Sequence, residues 1–257
     1  MKRYRRRFEP APGTSLLRVP ALAALIVLLL AACASYQPLS PPVTVIPSGV
    51  DYQDRGDYLT LAPIDSGNER YDHGVIFYPG GRVAPEAYVE MLAPLAGEGI
   101  PVAIMRVPLD LAVFSPDAAT IVLEDRFARR AAAWTLAGHS LGGAMAARFM
   151  ARRSWDYETV VGLILLAAYP AESDSLAGTD IPVLSVWAEN DGLATAEERR
   201  ETASLLPDDT RFEVIEGGNH AGFGTYGPQD DDGELEISRE AQHRQVRELI
   251  VGFLDSL

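Results

Sequence analysis

Trp134-Thr135-Leu136-Ala137-Gly138-His139-Ser140-Leu141-Gly142-Gly143-Ala144-Met145-Ala146-Ala147 runs from an apolar stretch, through a serine flanked by glycines, into a run of small residues with helical spacing. It is read as strand, tight turn and helix: Trp134–Ala137, then Gly138-His139-Ser140-Leu141-Gly142, then Gly142–Arg153. The pattern is G-x-S-x-G in the setting that gives it meaning. The turn forces the serine into a strained backbone conformation, which the small neighbours Gly138 and Gly142 permit. The Ser140 hydroxyl then projects from the sheet edge at a helix N-terminus. There the Leu141 N–H and the helix dipole face any negative charge that develops on a substrate oxygen. A small-residue turn holding an incidental serine is the simpler alternative.

Outward from this stretch the same texture repeats. Strands are expected at Asp57–Ile64, Gly74–Tyr78, Val102–Val107, Val161–Ala168, Val183–Ala188 and Arg211–Ile215, with a Ser66-Gly67-Asn68 turn between the first two. Helices are expected at Pro85–Ala96, Asp117–Arg130, Ala196–Leu205 and Ser238–Leu254. The continuous apolar run Val161–Ala168 marks a central strand buried on both faces. Alternating strands and helices imply an α/β class, with a mainly parallel sheet and helices on both faces. Ligands on such sheets bind beyond the carboxyl ends of the strands, so the loops there carry the chemistry.

A nucleophilic serine needs a base, and the chain has four histidines. His139 lies inside the elbow and points away from its neighbour's side chain. His73 sits at the amino end of the first core strand, and His243 in the last helix is expected to be solvated. His220 lies in Gly217-Gly218-Asn219-His220-Ala221-Gly222-Phe223-Gly224, directly after the last strand, at the end of the sheet that can reach Ser140. The orienting carboxylate is assigned to Asp191, after strand Val183–Ala188; Glu189 competes nearby, and Asp174 and Asp180 are weaker candidates. An aspartate in the first turn of a helix is a common structural role as well. A second oxyanion donor is expected in Tyr78-Pro79-Gly80-Gly81-Arg82, with Gly81 N–H preferred and Arg82 the alternative.

Serine, aspartate and histidine in that order, with a glycine-rich loop after an early strand, resemble the α/β-hydrolase superfamily over roughly Tyr58 to Leu257. Arg106–Phe114, the elbow, Asn190-Asp191-Gly192-Leu193-Ala194 and Gly218-Asn219-His220 through Phe223–Gly227 are similar to the small bacterial dienelactone-hydrolase-like group. That group's namesakes use a cysteine where this chain has Ser140, so lactone hydrolysis is not carried over. Only about fourteen residues separate strands Val161–Ala168 and Val183–Ala188, so no lid domain is expected. The resemblance implies a serine hydrolase acting on a small-molecule acyl substrate, without cofactor or metal. An acyltransferase or thioesterase with the same triad, and a non-catalytic binding module, are the rival readings. Arg82 and Arg106 near the strand ends suit a carboxylated substrate or a surface role. Asp230-Asp231-Asp232-Gly233-Glu234 lacks the alternating spacing of a calcium loop and is read as a solvated acidic loop.

The chain has 257 residues, enough for one large α/β domain. Its amino end differs from the rest. Lys2, Arg3, Arg5, Arg6 and Arg7 precede a mostly apolar run, Val19–Ala32, which is short for a membrane span and suits a signal sequence. Leu30-Ala31-Ala32-Cys33 resembles the bacterial lipobox, and Cys33 is the chain's only cysteine. The resemblance implies a signal peptide over residues 1–32, cleavage before Cys33, and a lipid on its thiol. The protein is then expected in the cell envelope, held on the outer side of the cytoplasmic membrane or in the outer membrane. Arg5-Arg6-Arg7-Phe8 also loosely resembles a twin-arginine export signal. Residues 33–56, with Pro38, Pro41, Pro42 and Pro47, are expected to form an extended tether, and 57–257 the folded domain. Without residues 1–32 the chain holds 16 basic and 35 acidic residues. Such a body repels nucleic acid. A single cysteine allows neither an intramolecular disulfide nor a multi-cysteine metal site. Oligomeric state is not legible.

Overall fold

In a computed structural model of the chain, residues 35–64 and 72–257 are described. Cys33, the signal segment and the Ser66-Gly67-Asn68 turn lie outside them. Eight strands form one sheet: β1 (Val50–Asp54), β2 (Tyr58–Pro63), β3 (His73–Tyr78), β4 (Val102–Met105), β5 (Ala133–His139), β6 (Val160–Leu166), β7 (Val183–Ala188) and β8 (Arg211–Ile215). Their order is β1-β2-β4-β3-β5-β6-β7-β8. The β1/β2 and β2/β4 pairs are antiparallel, and every pair from β4 to β8 is parallel. Among the described residues five α-helices accompany the sheet: α1 (Val89–Gly97), α2 (Ala119–Glu124), α3 (Leu141–Arg153), α4 (Ala196–Thr202) and α5 (Arg239–Leu254). This is the α/β-hydrolase arrangement expected from the sequence. Between β6 and β7 only the 3-10 turn Glu172–Asp174 is formed, so no lid is built there.

Alternation along the parallel strands splits the core in two. Val75, Phe77, Ala137, Ile164 and Val186 pack on one face with apolar residues of α1 and α5. Ile76, Leu136, Leu163 and Leu165 pack on the other with α2 and α3. Because both faces of β3 and β5–β7 are covered, these strands read as nearly unbroken apolar runs.

Three expectations change. The folded unit begins before residue 57: Val50–Asp54, assigned to the tether, is a strand paired with Tyr58–Pro63. Further back, Tyr36 N–H donates to Arg82 O at 2.6 Å and Leu39 N–H to Thr225 O at 3.0 Å. Prolines fix φ in this segment, which suits both its extended stretches and the 3-10 turn Pro42–Thr44 that it contains. The helix expected over Asp117–Arg130 is interrupted after α2, where Asp125 is extended and its carboxylate caps Phe127 N–H at 2.8 Å, starting a 3-10 turn. A short acidic side chain competes here with the helical ladder for the same N–H. Lastly, α4 is only seven residues long, begins with a Thr195/Glu198 capping box, and passes into a 3-10 turn over Ala203–Leu205.

Candidate active site

β5 delivers Ser140 at its carboxyl end. Ser140 has φ 52° and ψ −126°, a conformation outside the ordinary regions for a residue with a side chain. Its N–H donates to Leu166 O at 2.9 Å, and its carbonyl accepts Ala144 N–H at 3.1 Å as α3 starts. The turn closes because the glycines let backbones touch. A Cβ on Gly138 would lie 2.6 Å from Gly142 C and Gly143 N, and one on Gly142 would collide with the carbonyl oxygens of Tyr78 and Pro79.

β7 and β8 deliver the other two groups. Asp191 Oδ2 lies 2.8 Å from His220 Nδ1, with both side chains fully buried. Asp191 Oδ1 accepts Leu193 N–H at 2.8 Å and Ala194 N–H at 2.7 Å. The carboxylate thus holds its own turn with one oxygen and meets His220 with the other. Ser140 and His220 line a single cavity of about 300 Å³, together with Leu141, Ala144, Ala167, Ala168, Tyr169, Leu193 and Ala194. No hydrogen bond joins Ser140 Oγ to His220 among the described residues; such bonds commonly tighten only when substrate binds.

In the loop after β3 the backbone donors differ in what they meet. Gly80 N–H donates to the Tyr88 hydroxyl at 2.9 Å, and Arg82 N–H donates to Asp110 O at 2.7 Å. Gly81 N–H has no hydrogen-bond partner among the described residues. A Cβ on Gly81 would lie 3.0 Å from Leu141 Cδ2, so the loop after β3 faces the first residue of α3. Leu141 N–H, at the start of a helix, has no carbonyl a turn earlier to bond. Gly81 and Leu141 thus stand side by side, each with its backbone donor uncommitted.

A model of the alpha/beta hydrolase family matches residues 74–244. The chain belongs to this family. None of the curated proteins matches it in sequence. Among solved structures, this alpha/beta hydrolase is similar to an esterase from Pyrococcus furiosus, at 12% identity and a TM-score of 0.59, covering 86% of this chain and 98% of that one. It is similar to a dienelactone hydrolase from Anabaena variabilis at 14% identity and a TM-score of 0.56, covering 79% and 98%. For an esterase from Mycobacterium tuberculosis the values are 14% and 0.51, covering 78% and 90%. At these identities the likeness is one of fold.

The remaining candidates of this alpha/beta hydrolase fall elsewhere. Glu189 accepts Gly217 N–H at 2.9 Å. Asp174 is buried against Arg152 at 2.5 Å and Arg148 at 3.5 Å. Asp180 lies just before β7, at the opposite end of the sheet, as does His73 at the start of β3. Arg106 is spanned by Asp54 at 3.0 Å and Glu86 at 2.7 Å, so its charge is already matched. No cluster of metal ligands occurs among the described residues. His243 is buried rather than solvated; burial, with Arg239 and Arg247 nearby, pushes its pKa down to about 3.

Two functional contributions were not legible in the sequence. Tyr88 carries no motif, yet its hydroxyl joins Gly80 N–H to His139 Nδ1 at 2.9 Å each. His139 in turn packs its ring against His220, with centroids 4.4 Å apart. Burial, then the neighbouring His220, holds His139 well below the usual histidine range and therefore neutral. The elbow histidine thus lies between the Gly80–Arg82 turn and His220. The second is Asp232. The stretch read as a solvated loop places this one carboxylate inward, within hydrogen-bond reach of His220 N–H at 3.1 Å.

Proposed function

We propose that this alpha/beta hydrolase cleaves an ester or related acyl bond through Ser140, with His220 as base and Asp191 as its orienting acid. The observation that supports this most is the buried 2.8 Å bond between Asp191 and His220, at a cavity that Ser140 also lines. Asp191 accepts from Nδ1–H, which leaves Nε2 as the lone-pair nitrogen that receives the Ser140 proton. Ser140 Oγ bonds to the acyl carbon, and the carbonyl oxygen becomes an oxyanion between the Gly81 and Leu141 N–H groups. His220 returns the proton to the leaving alcohol, and the acyl-enzyme forms. Water, deprotonated by His220, then releases the acid and restores the serine. The dipole of α3, thirteen residues long, adds to the field at the oxyanion.

The test is covalent capture. A fluorophosphonate probe should label the protein on Ser140 alone, with loss of labelling on heating and on prior acylation by a small ester. A folded protein that the probe leaves unmodified refutes the reading. Turnover only in the presence of an added alcohol or amine acceptor would make it an acyltransferase instead.

We also propose that the chain is exported and anchored through a lipid on Cys33, on the strength of Leu30-Ala31-Ala32-Cys33 after an apolar run. Two or three acyl chains, at about 0.8 kcal/mol per buried CH₂, hold a protein stably to a bilayer without a spanning helix. Mass spectrometry of protein extracted from membranes should find an N-terminal peptide beginning at a diacylglyceryl-modified Cys33. An unmodified cysteine, or a chain still carrying residues 1–32, overturns the proposal.

A further inference from the structure

We propose that Asp232 is a positioning residue, holding the loop of the acid and the loop of the base in register so that Asp191 and His220 meet; the inference rests on the hydrolytic reading above. Its carboxylate accepts four backbone N–H groups. Oδ1 takes His220 N–H at 3.1 Å, Gly192 N–H at 3.3 Å and Gly233 N–H at 2.8 Å, and Oδ2 takes Ala221 N–H at 2.8 Å. Gly192 follows Asp191 directly, and Ala221 follows His220. One side chain therefore touches the backbone of both loops within a residue of each triad member. Bonds from N–H groups to an ionised carboxylate are roughly twice as strong as neutral ones. Among the described residues no arginine pairs with Asp232, so these N–H groups are what its charge was placed to receive.

The surrounding backbone is built for this contact. Gly192 and Gly233 are the points where the segments cross: a Cβ on Gly192 would collide with Asp231 O, and one on Gly233 with Asn190 O. Asn190 Nδ2 donates to Glu234 O at 3.1 Å, and Asn219 Nδ2 to Gly233 O at 2.8 Å. Among the described residues, the loops after β7 and β8 otherwise meet through Gly217 N–H to the Glu189 carboxylate, through Asn190 N–H to Gly218 O and through the bond between Asp191 and His220. Removing the Asp232 carboxylate frees both loops at the residues next to the chemistry, while the sheet and helices are untouched. Asp230, two residues earlier, is exposed and is the matched control.

The experiment compares full-length wild type, Asp232→Ala, Asp232→Asn and Asp230→Asn with p-nitrophenyl acetate, each normalised to fluorophosphonate-titrated sites. Asp232→Ala should lower kcat about 10²-fold with KM little changed, the size expected when a catalytic pair is misplaced by about 1 Å. Asp232→Asn keeps one acceptor oxygen and should fall between; Asp230→Asn should match wild type. The downfield proton resonance of the His220 Nδ1–H bond should be present in wild type and Asp230→Asn, and broadened or lost in Asp232→Ala. A lower melting temperature with undiminished kcat and an intact resonance would mean Asp232 is merely structural, and overturns the proposal. If Asp232→Ala does not fold, the same two readouts on Asp232→Asn decide. A wild type that neither labels nor turns over sinks the hydrolytic reading, whereas the resonance still tests whether Asp232 aligns the pair.

Discussion

Replacing Ser140 by alanine is expected to lower kcat/KM for ester hydrolysis on the order of 10⁴- to 10⁶-fold while leaving the melting temperature nearly unchanged. Both halves follow from the position of the side chain. Ser140 Oγ makes no hydrogen bond among the described residues and lines an open cavity, so its loss strands no buried partner. Its backbone bonds, from N–H to Leu166 O and from O to Ala144 N–H, are available to alanine too. The left-handed φ of 52° costs alanine about what it costs serine. What disappears is the atom proposed to bond covalently to substrate. The residual rate reflects the Gly81 and Leu141 donors and binding alone. Steady-state kinetics on the purified variant, with thermal unfolding alongside, would check this. A variant within tenfold of wild type would show that the nucleophile lies elsewhere.

Gly142→Ala is expected to destabilise the fold by about 3 kcal/mol or more, a severe effect for one methyl group. For a domain of this size that lowers the melting temperature by roughly 6–12 °C. The added Cβ would meet the carbonyl oxygens of Tyr78 and Pro79. These are backbone atoms of β3 and the loop after it, which cannot rotate away as a side chain can. Relief requires α3 to move off the sheet or the loop after β3 to retreat, and either displaces Gly81 from Leu141. Stability and activity should therefore fall together. Gly227, whose Cβ would meet nothing within 4 Å, provides the contrast: Gly227→Ala should stay within about 0.5 kcal/mol of wild type. Chemical denaturation of the two variants measures the difference, and a Gly142→Ala protein as stable as Gly227→Ala would contradict the packing argument.

The strands around the site were readable because a parallel strand covered on both faces is almost wholly apolar, as Val161-Gly162-Leu163-Ile164-Leu165-Leu166 shows. The edge was harder. Val50–Asp54 carries only Val50 and Tyr52 as apolar residues and pairs on one side alone, so its local pattern is indistinguishable from a loop. Helix α2 was overextended because Ala, Ile, Val and Leu continue a helical pattern, whereas the stop comes from a single local bond between Asp125 and Phe127 N–H.

For the site, Ser140, Asp191 and His220 stood out because each falls in a loop at the carboxyl end of a strand, and chain order plus strand direction is enough to bring them to one edge. The elbow's glycines were legible for the same reason: the need for a close backbone approach is written in the absence of a side chain. Tertiary structure alone decided which backbone donors of the Gly80–Arg82 turn are already taken, that His139 and Tyr88 tie that turn to His220, and that Asp232 among three consecutive aspartates turns inward. Those outcomes depend on contacts between residues 8 to 51 positions apart in the chain, whose directions are fixed by how the loops cross, and no local periodicity encodes them.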